Sequence, residues 1–113
     1  MTRRGGRTDT ELLGEARYHL SLAQEHAEAD VESQRGIDAV CMRLAAGIES
    51  LSRLDEEIRE ELFGRTWPAM WGMRNRIAHG YLLVETSIVR STVERDIPSI
   101  LATIDAALAG EDG

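Results

Sequence analysis

The sequence predicts an all-α protein, an antiparallel bundle of four to five helices. Apolar residues recur at spacings of three and four through most of the 113 residues, and no segment sustains the alternation of a half-buried strand. Capping residues, glycines and prolines also divide the chain into helix-length pieces. The one strand-like run is Tyr81-Leu82-Leu83-Val84.

The first helix starts at Thr8-Asp9-Thr10-Glu11, where the spacing of Thr8 and Glu11 suits a capping box. Leu12, Ala16, Leu20, Ala23 and Ala27 form its apolar stripe. A second helix starts near Ser33 and carries Ile37, Val40, Cys41, Leu44, Ile48 and Leu51. Gly47 suits the middle of that helix only where a neighbour approaches closely. Leu54 to Phe63 reads as a short acidic helix stopped by Gly64, and its run Asp55-Glu56-Glu57-Ile58-Arg59-Glu60-Glu61 is expected to be a solvated face. Thr66 is then placed to cap a fourth helix with Pro68 in its first turn and Gly80 at its end. A last helix runs from Thr86 to about Leu108, with a stripe of Ile88, Val93, Ile97, Leu101, Ile104 and Leu108 and a kink expected at Pro98. One domain over 8–109 is expected, with residues 1–7 and 110–113 as tails.

The formal charge of −7 argues against broad electrostatic attraction to nucleic acid, so any RNA contact must be local. All 13 basic residues are arginines. The single cysteine, Cys41, excludes an intrachain disulfide and falls on an apolar helical face, where a small core residue is expected. Residues 1–7 lead into no apolar segment like a signal peptide, and no run approaches a membrane span, so a cytoplasmic protein is expected. His19 and His26 lie seven apart on the first helix with no further ligands in view, which suits surface or interface roles, and no metal or cofactor is expected. The aromatics are few, Tyr18, Phe63, Trp67, Trp71 and Tyr81, and the core must be built mainly from leucine, isoleucine and alanine. Small cores of this kind are stabilised by association, so a homodimer is expected.

The chemistry of the chain concentrates in Met73-Arg74-Asn75-Arg76-Ile77-Ala78-His79-Gly80-Tyr81. This stretch supplies a permanent cation, an amide, a proton-transfer group and a phenol. These groups suit a phosphodiester site, where metal-independent cleavage needs a base for the attacking hydroxyl, a partner for the charge on phosphorus and a proton for the leaving oxygen. Histidine suits the proton steps and the planar fork of arginine suits the phosphorane. Residues five apart on a helix differ by about 140° in direction and about 7.5 Å in rise, so Arg74 and His79 do not meet as face neighbours. The long arginine, the helix end at Gly80 or a second protomer must close the gap. A histidine before a glycine also makes a C-terminal helix cap, and Tyr81 also suits simple packing. Trp67 and Trp71, four apart just before the motif, suit packing, a dimer seam or base stacking.

Arg74 and Asn75 followed by His79 resemble the signature of the HEPN superfamily of small helical ribonucleases. With Gly80 and Tyr81 included, Arg-Asn-x-x-x-His-Gly-Tyr resembles the HepT toxins, which pair with a minimal nucleotidyltransferase antitoxin, MntA. The resemblance covers roughly residues 9–109, although the family's Gly-Glu-Ala in the second helix is here Gly47-Ile48-Glu49. It implies a dimeric RNA endonuclease with Arg74 and His79 as catalytic residues, Asn75 and Arg76 in support, and RNA as substrate. It also implies Tyr81 as the acceptor of AMP from an MntA-like partner, which would silence the toxin. The alternative is a non-catalytic helical module that binds a nucleotidyltransferase or a nucleotide.

Overall fold

The computed structural model describes residues 3–4, 7–80 and 85–112. Within them the chain is helical apart from short connections and an antiparallel pairing of Arg3–Arg4 with Arg7–Thr8. The Tyr81–Val84 run lies outside the described residues.

Helix α1 (Asp9–Ala29) begins with the capping box that its sequence predicts. The Glu11 N–H donates to Thr8 Oγ1 (3.1 Å) and the Thr8 N–H donates to Glu11 Oε1 (2.9 Å), so two otherwise unpaired donors are satisfied. After α1 the Asp30 carboxylate accepts from the backbone N–H of Glu32 and of Ser33, both at 3.0 Å, and from the Ser33 hydroxyl. The hydrogen bonds from Ser33 hold the Asp30 carboxyl below the ordinary carboxylate range. Ser33 Oγ in turn accepts from the Gly36 N–H (3.1 Å) and caps α2 (Gln34–Ser52). This turn is tight enough that a Cβ on Gly36 would fall 1.8 Å from the Asp30 carbonyl oxygen.

α1 and α2 form an antiparallel hairpin whose seam is the centre of the core. Leu12, Leu13, Ala16, Leu20 and Ala23 are buried with Ile37, Val40, Cys41, Leu44, Ile48 and Leu51. Gly47 sits at the closest approach, where a Cβ would lie 2.9 Å from Leu20 Cγ and Cδ2. Cys41 is fully buried, and desolvation followed by the nearby Asp38 charge pushes its thiol up to about 11. The buried Asp9 carboxylate accepts from the Asp55 N–H (3.1 Å) and so ties the start of α1 to the start of α3 (Glu56–Phe63). Asp55 also caps α3, accepting from the Glu57 N–H (3.1 Å). Glu56, Glu57, Glu60 and Glu61 face solvent, as the charge run predicts.

A 3₁₀ turn over Gly64–Thr66 leads directly into α4 (Trp67–Gly80). Thr66 therefore does not act as the expected side-chain cap; its hydroxyl donates to the Phe63 carbonyl (2.8 Å) and closes the turn instead.

The last helical stretch is continuous but not uniform: α5 (Thr86–Ser91), a π-turn over Thr92–Asp96, and α6 (Ile97–Asp112). The Ile97 N–H bonds the Thr92 carbonyl, five residues back. Pro98, one residue on, has no N–H and its ring crowds the preceding turn, so the irregularity expected there takes the form of a widened turn. The extra residue shifts the phase of the helix. The buried positions are Val89, Thr92, Ile97, Ile100 and Ile104, with a step of five across the π-turn. Of the stripe expected from a regular repeat, Ile97 and Ile104 are fully buried, while Ile88, Val93, Leu101 and Leu108 pack at the core's edge. α6 returns along α1, joined by an ion pair of Arg17 and Asp105 (2.6 Å). No helix of the described residues is long and apolar enough to cross a membrane.

Candidate active site

The motif occupies the last two turns of α4. Met70 and Ile77, seven apart, bury one stripe of this helix, which leaves the residues between them on its flanks. Gly80 ends it at φ 135°, a backbone region that side chains disfavour and glycine adopts freely.

Arg74 is half-buried and held from three sides. Its Nε lies 2.8 Å from Glu49 Oε2, its Nη1 donates to Asn75 Oδ1 (3.2 Å), and its guanidinium carbon stands 4.8 Å from the centre of the Trp71 ring. The approach to Glu49 is close but off-line, an ion pair and not an aligned hydrogen bond. Nη2, shared by both edges of the fork, has no hydrogen-bond partner among the described residues. Sequence reasoning did not find Glu49 as a partner of Arg74. Its signal was the departure already noted, a glutamate in the second helix two positions after Gly47.

His79 is exposed on the adjoining turn, and its Nδ1 is 2.7 Å from the Asn75 carbonyl oxygen. A carbonyl only accepts, so Nδ1 carries the hydrogen in that contact. In the neutral ring the free lone pair is then on Nε2, the ring nitrogen that the carbonyl does not hold. Asn75 thus serves both groups, its side chain meeting Arg74 and its backbone meeting His79. Arg76 is exposed and has no ion pair or hydrogen bond among the described residues. No hydrogen bond joins Arg74 to His79, in keeping with their five-residue spacing. Tyr81 lies outside the described residues.

Trp67 and Trp71 stack on each other with ring centres 5.8 Å apart and planes 24° off parallel. Arg59 of α3 stands 5.0 Å over the Trp67 ring. The order Arg59, Trp67, Trp71, Arg74 therefore runs from the acidic helix to the motif as a pair of stacked rings with a guanidinium at each end. A groove of about 840 Å³ lies on the Met70 and Met73 side of α4, floored by Ile48, Phe63 and Ile100, and neither Arg74 nor His79 lines it. His19 is remote from the motif. It contacts Arg43 Nη1 (3.1 Å), and its ring is held below the ordinary histidine range by burial first and the Arg43 charge second, with Glu15 opposing.

The arrangement puts an oriented imidazole and a half-buried guanidinium on the last turns of one helix, groups suited to proton transfer and to an anionic phosphate. No curated protein and no solved structure matches the chain. The family model described as "Ribonuclease HepT-like" matches residues 12–107, from the first buried leucine of α1 nearly to the end of α6. The chain belongs to the HepT-like ribonuclease family.

Proposed function

We propose that the chain is a metal-independent RNA endonuclease, the toxin of a toxin–antitoxin pair, with Arg74 and His79 as its catalytic residues. The observation that carries the reading is the contact of His79 Nδ1 with the Asn75 carbonyl, which leaves Nε2 as the ring's acceptor for a proton, on the same helix as an Arg74 held by Asn75, in a chain of the HepT-like ribonuclease family. In the proposed step Nε2 takes the proton of a ribose 2′-hydroxyl and the 2′-oxygen attacks phosphorus. Arg74 stabilises the charge that builds on the phosphoryl oxygens, the departing 5′-oxygen takes a proton from solvent water as a 2′,3′-cyclic phosphate forms, and the His79 imidazolium returns its proton to solvent. Asn75 orients both groups and Arg76 adds phosphate attraction at the rim. Because Arg74 and His79 do not meet within one chain, the working site is composed by two protomers whose motifs share a cleft.

The regulation proposed is transfer of AMP to the Tyr81 phenol by a minimal nucleotidyltransferase antitoxin. An attached phosphate two residues beyond His79 would compete for the same arginine and repel RNA. The test uses the purified chain with labelled RNA and a chelator, followed by incubation with the cognate transferase, magnesium and ATP. Cleavage to cyclic-phosphate ends, lost when peptide mapping finds AMP on Tyr81, is the expected result. Intact RNA under all conditions would favour a non-catalytic module, and AMP on another residue would overturn the switch alone.

A further inference from the structure

Arg74, like Arg43 and Arg59, is gripped on a face and an edge at once, and among the described residues it is the one of the three whose edge partner is a carboxylate. Trp71, three residues earlier on the same helix, covers the guanidinium at 4.8 Å, and Glu49 of α2 meets its Nε at 2.8 Å. Trp71 is itself backed by Trp67 at 5.8 Å, and Trp67 by Arg59 at 5.0 Å. Two helices, α4 and α2, therefore meet at this side chain, and α3 reaches it only through the tryptophan pair. A long arginine left free in solvent samples many rotamers, whereas a planar fork held against a ring is already oriented when phosphate arrives. The two contacts differ in kind. The ring grips the π face and leaves the N–H edges available, while the carboxylate occupies an edge through an off-line contact between partly exposed groups. Such a pair is a weaker competitor than a bidentate, aligned phosphate.

We propose that Trp71 is a positioning residue for Arg74 and that Glu49 is its displaceable counter-ion, holding the guanidinium in place until a substrate phosphate takes over that edge. The proposal rests on the reading that Arg74 receives phosphate. It places the specificity for an anionic group in the exchange of one oxyanion for another on a guanidinium already fixed in plane.

The test follows the Arg74 Nε–Hε resonance of the full-length protein, assigned by its loss in Arg74→Lys, together with RNA cleavage. In wild type that signal should be displaced by the indole ring current and should move further as inorganic phosphate is added. Trp71→Met, an apolar and adaptable side chain without a ring, should return the signal to the position of exposed arginines. It should also lower kcat by about tenfold while KM changes by less than about threefold. Trp71→Phe should restore most of both, which a loss of general packing would not. Glu49→Gln should tighten phosphate binding by about threefold or more by removing the competing charge. An unmoved resonance with unchanged kcat in Trp71→Met, or weaker phosphate binding in Glu49→Gln, overturns the proposal. Should wild type leave RNA intact, the ribonuclease reading falls, and the resonance and phosphate titration still decide the positioning.

Discussion

The imidazole of His79 is oriented by its own helix, through the carbonyl of the residue one turn back, so its usable nitrogen is fixed without any tertiary partner. That makes its role separable from folding. His79→Ala removes an exposed ring and should leave stability within about 0.5 kcal/mol of wild type by thermal melting. It should also lower RNA cleavage by about a hundredfold or more, the usual scale of a lost proton-transfer group. Full activity in a well-folded variant would end the ribonuclease reading. Cys41 is the opposite case, a reactive group the fold disarms. Its thiol is fully buried, and desolvation first and the Asp38 charge second push it up to about 11, above the ordinary cysteine range. A folded pKa raised above the unfolded one gives stability that is present below about pH 9 and is lost as pH rises through about 11. Alkylation at pH 8 should accordingly be slow in buffer and fast in denaturant, and rapid labelling of the native protein would contradict the packing described for α2.

Helices were legible in the sequence where their signals were local. The capping box at Thr8 and Glu11, the serine cap of α2 and the glycine stop of α4 each depend on residues within one turn, and each stands where the sequence puts it. The π-turn was not legible, because a regular repeat cannot register one extra residue, and the phase of the last helix slipped accordingly. The Glu49 contact with Arg74 was hidden for a different reason: it joins α2 to α4 across the bundle and depends on their packing. Gly47 shows how far local rules reach. In an open helix glycine to alanine stabilises by about 0.5–1 kcal/mol, and Gly14, exposed on α1 with nothing within 4 Å of an added Cβ, should follow that rule. At Gly47 the added methyl would meet Leu20, which is fully buried and has no room to yield. Overpacking of about 1–3 kcal/mol outweighs the propensity gain there. Chemical denaturation should thus show Gly14→Ala more stable and Gly47→Ala less stable than wild type. Two shifts of the same sign would mean that the α1–α2 seam is looser than the structure has it.

At the scale of the whole molecule, a chain of charge −7 has to handle a polyanion through a local site, and a site shared by two protomers concentrates what little positive charge the motif offers. One protomer carries Arg74 and His79 on different sides of α4 without contact between them, whereas a two-fold axis near this helix end would bring each residue beside its counterpart or a reciprocal partner. Light scattering at micromolar concentration should therefore give a dimer. Mixing tests the composition of the site directly. Homodimers of Arg74→Ala or of His79→Ala should each be inactive. A heterodimer of the two retains, across its interface, one wild-type arginine facing one wild-type histidine. If protomers exchange freely, half the dimers are mixed and each holds one of two sites, so the mixture should recover about a quarter of wild-type cleavage. A site contained within each chain would recover nothing, because every protomer in the mixture lacks one of its two groups. Recovery that disappears when the subunits are kept from exchanging would tie the activity to the interface itself.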